Sequence, residues 1–271
     1  MENTDTLISI CIFYTRVIIM LSELYKKDLY LNKDIPYLYG KEIYEYDIHA
    51  AGLSITKEFE LLSEKEIKKI ENKPNKKAIA IAIGLKQRKD KVYKEELAKG
   101  FIKARKLFFE ANDLEDYQIL SIKKDAIFTL VPCNVQRFGE IEFMQKHKYS
   151  SCMATDKYEF YYGRDEIDVK GLDDAVVYHH QDYLLSFMKK FFYTVECGTK
   201  QDGMRMLRVM IDRYKRLELD PGYYREFNRE NNYKEKSGEL VYSDVTPMLL
   251  PDIDISFNFL NIILPLLKTL L

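Results

Sequence analysis

Two aspartates stand in apolar company. Asp47 lies in the run Tyr44-Glu45-Tyr46-Asp47-Ile48, and Asp125 precedes Ala126-Ile127-Phe128. A carboxylate among such neighbours is costly unless something offsets its charge. A divalent metal ion, a lysine or solvent at a sheet edge would each serve, and for one such aspartate taken alone the solvated edge is the plainest reading. Between the two acids lie Lys76, Lys77, Lys86, Arg88, Lys89 and Lys91, a basic set suited to a triphosphate or to a solvated charged loop. After them come Lys146, Lys148 and Tyr149, which suit contact with a phosphate backbone or an ordinary exposed strand.

Composition narrows the field little. The 271 residues are 46% hydrophobic and 31% charged, enough for one large domain or two small ones with an ordinary globular core. Lys and Arg number 42 against 43 Asp and Glu, so any nucleic-acid surface must come from local segregation of charge. Cys11, Cys133, Cys152 and Cys197 form no CxxC pair and have no histidine at zinc-ligand spacing. They read as reduced packing residues of a cytoplasmic protein. His179-His180 reads as surface.

Two apolar stretches flank the chain. In residues 7–25 the positions Leu7, Cys11, Tyr14, Ile18, Leu21 and Tyr25 recur every three or four, and Arg16 interrupts the run. A packed helix fits better than a membrane span. Residues 257–271 form a second apolar run, broken by Pro265 and shorter than the ~20 residues a span needs. It would dock on the body, on a protein partner or on a membrane surface.

The elements that must position the acids follow from periodicity. Residues 7–31 predict a helix. Residues 41–55 alternate and then lead into a turn or helix. Ser63 and Glu66 form a capping box for a charged helix. After a break at 72–75 comes an apolar run bounded by basic residues, and a long helix is expected from Asp90 to Ala111, with Tyr93, Leu97, Phe101, Ala104, Leu107 and Phe108 on one stripe. Residues 118–131 predict a hairpin turning near Lys123-Lys124, with further strands over 138–144, 157–162 and 166–170. Tyr183 to Glu218 returns to helical spacing. A helix, mixed strands and then helices predict an α+β fold with an antiparallel sheet.

Several of these segments resemble the palm domain of family B DNA polymerases. Asp47 to Ile55 resembles motif A, D-x-x-S-L-Y-P-S-I, retaining the aspartate, the second serine (Ser54) and the isoleucine (Ile55). Lys123 to Phe128 resembles motif C, D-T-D-S-I-F, retaining Asp125, Ile127 and Phe128. Lys76 and Gly84 have the spacing of the ends of motif B, with its Asn, Ser and Tyr replaced. Lys146-His147-Lys148-Tyr149 resembles the element that grips the primer–template duplex, and Lys170-Gly171 the Lys-Gly pair that follows it. The ordered set covers residues 41–175.

The resemblance implies a polymerase-like palm over 41–175, with a small fingers insertion at 56–115. A helical segment over 1–40 precedes it, and a thumb-like helical module over 176–271 ends in the apolar tail. It implies that Asp47 and Asp125 are catalytic and hold two Mg²⁺ or Mn²⁺ ions, which suits the hard-oxygen preference of Mg²⁺. Gly52, Lys76, Arg88, Lys89 and Lys123 would meet a nucleoside triphosphate. Lys146, Lys148, Tyr149 and Lys170 would meet the nucleic acid, and Tyr214-Lys215-Arg216 and Tyr223-Tyr224-Arg225 offer further aromatic-basic surface.

Three departures from the pattern carry expectations of their own. Few residues precede Asp47, so no proofreading exonuclease is expected. Gly52 stands where motif A has the tyrosine that excludes a 2′-hydroxyl, so relaxed sugar selectivity is expected. Lys123 replaces the first motif C aspartate, and its charge would repel a metal ion or reach a phosphate or Asp47. The expected function is a minimal phage nucleotidyltransferase of DNA polymerase or primase type, acting in replication in the host cytoplasm. The alternatives are a non-catalytic palm that binds nucleic acid or a replication partner, and an interaction protein docking through its apolar ends.

Overall fold

The computed structural model describes residues 23–155, 158–164, 166–171, 181–220, 223, 226–228, 242–243, 256–257 and 260–271. Expectations for residues 7–22, His179-His180, Tyr224 and Arg225 lie outside them. The fold is mixed α+β with an eight-stranded antiparallel sheet. Two compact units divide the chain: residues 1–34 with 42–148, and residues 35–41 with 149–271.

In the first unit the strands are β1 (Leu29–Leu31), β2 (Tyr37–Ile48, from Glu42 on), β3 (Ile119–Lys123), β4 (Ala126–Thr129), β5 (Arg137–Phe138) and β6 (Ile141–Ala154, as far as Lys148). Their order is β1-β3-β4-β2-β6, with β5 paired to β6. Its described residues also form the helices α1 (Ala51–Glu58), α2 (Glu64–Glu71), α3 (Lys76–Lys89) and α4 (Lys91–Ala111). The capping box at Ser63 and Glu66 forms, and Asp90 caps α4 by accepting the Tyr93 N–H at 3.0 Å. The expected stripe of α4 is the buried one at Tyr93, Leu97, Ala104 and Phe108, whereas Leu107 is 38% exposed. Phe108 stacks on Phe143 at 4.3 Å and tilts against Tyr46 at 5.4 Å, so α4 packs on one face of the strands. The helix expected over 7–31 is corrected at its end. Tyr25 and Lys26 turn, and Leu29–Leu31 pairs with β3 as a strand, because backbone pairing to β3 outweighs the helical spacing of those few residues.

The second unit holds residues 37–41 of β2, residues 149–154 of β6, β7 (Glu159–Gly163) and β8 (Glu166–Lys170). Against them pack α5 (Ser186–Cys197), α6 (Lys200–Lys215) and α7 (Leu260–Leu270), and a π-type turn (Gln181–Leu185) leads into α5. Gly198 ends α5, and the Thr199–Asp202 capping box starts α6. Three short strands, β9 (Glu226–Asn228), β10 (Tyr242–Ser243) and β11 (Ser256–Phe257), form a separate ladder. The core unites Phe160, Met188, Phe191 and Phe192 with Leu207 of α6 and Leu266 of α7. The C-terminal apolar run thus docks on its own unit, burying Ile263, Leu266 and Leu270 completely. Tyr214 is likewise core, at 1% exposure, and offers no surface ring. Among the described residues no helix is long and apolar enough to cross a membrane.

Candidate functional site

Strand β2 presents Asp47 by alternation. Tyr44, Tyr46 and Ile48 enter the first unit's core, so Asp47 points to the other face, its side chain 31% exposed. Asp125 arrives on the β3–β4 hairpin. Lys123 pairs with Ala126, leaving Lys124-Asp125 as a two-residue turn with Lys124 left-handed at φ 56°. Strand β4 lies beside β2 with Asp47 opposite Ala126, and the Ile48 N–H donates to the Asp125 carbonyl at 3.2 Å. Asp125 thus lies opposite Ile48, one place along from the Asp47–Ala126 pair, and the two acids, far apart in sequence, are diagonal neighbours across the strands. The Asp125 carboxylate makes no side-chain hydrogen bond or ion pair among the described residues, whereas Asp47 meets the Lys146 ammonium at 3.6 Å.

Lys123 shares this face. Register places Lys123, Ala126 and Asp47 in one row across β3, β4 and β2, with only the alanine methyl between the two charged positions. Beyond β2 the chain turns through His49 and left-handed Ala50 into α1, and Ser54 Oγ ties the turn by donating to the His49 carbonyl at 2.6 Å.

The basic residues are dispersed rather than gathered. Lys76 opens α3, and Arg88 and Lys89 sit in its last turn. All three are exposed, but about 18–20 Å of helix separates the two ends. A single pocket formed by these three is therefore corrected. Lys86 is bound to Glu66 at 3.0 Å and Asp90 at 3.2 Å, and those carboxylates hold its ammonium above the ordinary lysine value. Gly52 faces α3: a Cβ there would come within 2.9 Å of Ile83 Cγ2. The space expected to receive a sugar is filled by a packed isoleucine, so this glycine serves the approach of two helices.

The expected nucleic-acid residues each meet an acid. Lys148 pairs with Glu42 and lies over the Tyr44 ring at 5.4 Å; the Glu42 hydrogen bond raises its pKa. In the second unit, Tyr149 is buried at 6% exposure and its hydroxyl donates to Asp168 Oδ2 at 3.0 Å. Lys170 reaches the same oxygen at 2.6 Å. The Tyr149 ring packs on Tyr161 at 5.2 Å.

One residue of consequence has no signal in the sequence beyond its charge. Arg105, on α4, is withdrawn from solvent and bonds the backbone of the turn that carries Asp125.

The acid pair supplies carboxylate oxygens, which suit a hard divalent ion whose remaining ligands are phosphates and water. Among the described residues no group of three or more His, Cys, Asp or Glu side chains gathers to hold a metal by itself. Asp47 and Asp125 fit a substrate-completed site rather than a closed structural one.

The fold and its site thus define an α+β protein whose antiparallel sheet brings an acid pair to a hairpin turn. The chain matches the family model described as Bacteriophage PBS1 gene 130 protein over residues 20–271, and it belongs to that phage family. No curated protein matches it.

Proposed function

We propose that this phage protein is a metal-dependent nucleotidyltransferase of the polymerase or primase kind, built on a palm-like sheet and acting in replication in the host cytoplasm. The observation that supports the reading is the pairing of β2 with the β3–β4 hairpin, which brings the turn bearing Asp125 next to the strand bearing Asp47. A motif A-like strand and a motif C-like turn side by side are what a palm requires. Asp47 and Asp125 would hold Mg²⁺ or Mn²⁺, two ions in all. When bound, such ions stabilise charge on the attacking and leaving oxygens of nucleotidyl transfer. The chain's own residues supply the rest. The two carboxylates orient the reacting phosphate, and Lys123, in the row with Asp47, offers an ammonium to a phosphate oxygen. Lys146 answers the charge of Asp47 while no substrate is bound. Nucleoside triphosphates and a nucleic-acid strand are the proposed partners. Sugar choice would be relaxed, because the residue at the motif A tyrosine position is a glycine packed on Ile83, so no aromatic ring from there excludes a 2′-hydroxyl.

A second reading is a palm-derived protein that binds nucleic acid or a replication partner without catalysis. The observation in its favour is the presence of two ammonium groups, from Lys123 and Lys146, on the face where the acids would hold metal.

Incorporation of labelled NTPs and dNTPs with Mg²⁺ or Mn²⁺ separates the two. Activity in the wild type, lost in both Asp47→Ala and Asp125→Ala, is expected. Equal activity, or equal inactivity, of all three proteins removes the catalytic claim. Strict deoxynucleotide preference removes the relaxed sugar choice.

A further inference from the structure

A buried guanidinium is expensive unless each of its nitrogens finds an acceptor. Arg105 meets that condition with three partners from two segments. Its Nε donates to the Tyr25 carbonyl at 2.8 Å, its Nη1 to the Lys124 carbonyl at 2.8 Å, and its Nη2 to Asp28 Oδ1 at 2.9 Å. The Arg105 side chain is 0% exposed, whereas that of Asp28 is 67% exposed. An ion pair alone could have formed at the surface. The arginine instead reaches inward and uses two of its donors on backbone carbonyls. The Lys124 N–H is held as well, donating to the Asp28 carbonyl at 2.7 Å. Both polar groups of this left-handed turn residue are thus fixed, and the residue after it is Asp125. Burial pushes the guanidinium pKa down, while the charges of Asp28 and Asp125 pull it back up.

We infer that Arg105 is the positioning residue of the Asp125 turn: by gripping the Lys124 carbonyl it fixes the peptide that leads into Asp125 and so sets where that carboxylate is held next to the Asp47 strand. The inference rests on the metal-binding reading above. The planar fork of arginine is what the arrangement needs. A lysine keeps the charge but cannot address three acceptors in one plane.

The test compares Arg105→Lys, Asp28→Asn and Leu97→Val with the wild type. Asp28→Asn alters an exposed partner and leaves the core intact. Leu97→Val thins the core on the same helix without touching the turn. Two readouts are taken on full-length protein: Mn²⁺ affinity, from the paramagnetic resonance of free Mn²⁺, and hydrogen exchange at the Lys124 and Ile48 amides. Arg105→Lys is expected to weaken Mn²⁺ binding about 10- to 100-fold, the range for loss of a group that orients a metal ligand, and to speed exchange at both amides. Asp28→Asn should do the same to a smaller degree. Leu97→Val should lower thermal stability and leave Mn²⁺ affinity unchanged. Wild-type affinity and exchange in both Arg105→Lys and Asp28→Asn overturn the inference, as does an equal loss of Mn²⁺ affinity in Leu97→Val. A wild type whose Mn²⁺ binding does not depend on Asp47 and Asp125 overturns the metal reading itself, and this inference falls with it.

Discussion

If the acids take a cation as proposed, the Lys146 ammonium competes with it for Asp47. The Asp47 and Lys146 side chains are 31% and 36% exposed, and the ammonium stands 3.6 Å from the carboxylate. A pair so open to water contributes about 0.2–1 kcal/mol. Lys146→Ala should therefore tighten Mn²⁺ binding by only about two- to fivefold, read in the same resonance titration. If Lys146 also grips a nucleic-acid strand, the same variant should weaken strand binding, so the two effects would move in opposite directions. Unchanged Mn²⁺ affinity would mean that the ion pair does not bear on the site. Lys123 is the complementary case. Lys123→Asp restores the missing acid of the motif and is expected to raise Mn²⁺ affinity, because a repelling charge in the Asp47 row becomes an attracting one.

Elements are fitted here by absent side chains. A Cβ on Gly100 of α4 would come within 2.4 Å of Ile55 Cγ2 on α1. Glycine inside a helix ordinarily costs about 1 kcal/mol relative to alanine, so Gly100→Ala would stabilise a free helix. In this protein the collision outweighs that gain, since overpacking costs about 1–3 kcal/mol. A lower melting temperature for Gly100→Ala is the expected result, and an unchanged or higher one would contradict it. This scale also shows what was legible beforehand. The hairpin at Lys124-Asp125, the strand through Asp47, the Ser63 capping box and most of the α4 stripe follow from spacing and turn chemistry, which act within a few residues. Gly52 was different. A missing side chain tells what is absent and not which neighbour fills the gap, and Ile83 is a partner only tertiary packing could name. Lys76 and Arg88 looked clustered because sequence distance was read as spatial distance, whereas a helix carries them to opposite ends. Arg105 gave no sign of itself, since an arginine among lysines on a long helix reads as solvated until its acceptors are known. Tyr149 likewise took its partner from a strand away in sequence.

For the whole molecule, stability should depend on keeping polar hydrogens in the core. Burial pushes the Cys133 thiol up to about 11, the Cys152 thiol up to about 12 and the Tyr46 phenol up to about 12. Each is an acid whose neutral form is favoured by folding. Below pH 9 native and unfolded chains bind the same protons at these groups, and nothing changes. As pH rises from about 9 toward 12 the unfolded chain loses them first, so stability falls across that window. Urea midpoints should be flat from pH 7 to 8.5 for these groups and then decline. Cys133→Ala should blunt the first part of the decline, and a midpoint that rises above pH 9 would contradict the assignment. The C-terminal helix bears on stability more directly. Leu266 is completely buried, so Leu266→Ala should cost about 2–5 kcal/mol. The cost is expected as early loss of structure in the second unit, followed by proteolysis. Retention of full stability would mean that α7 is not part of that core.

The partnership of β2 with the hairpin also has a history in time. Asp47 and Asp125 lie on the order of eighty residues apart, and contacts of such range form slowly because the chain between must first be brought together. During synthesis the strand bearing Asp47 emerges seconds before the turn bearing Asp125, at a pace of about 5–20 residues per second. In that interval α1 to α4 are made, and they give it structure to lean on. Arg105 is made before the Lys124 carbonyl it will hold, and its Nη1 lacks that acceptor until the hairpin closes. The charged surface therefore comes into being late, as the closing act of the first unit's folding, and a nascent chain halted before Thr129 should carry the helices without the site.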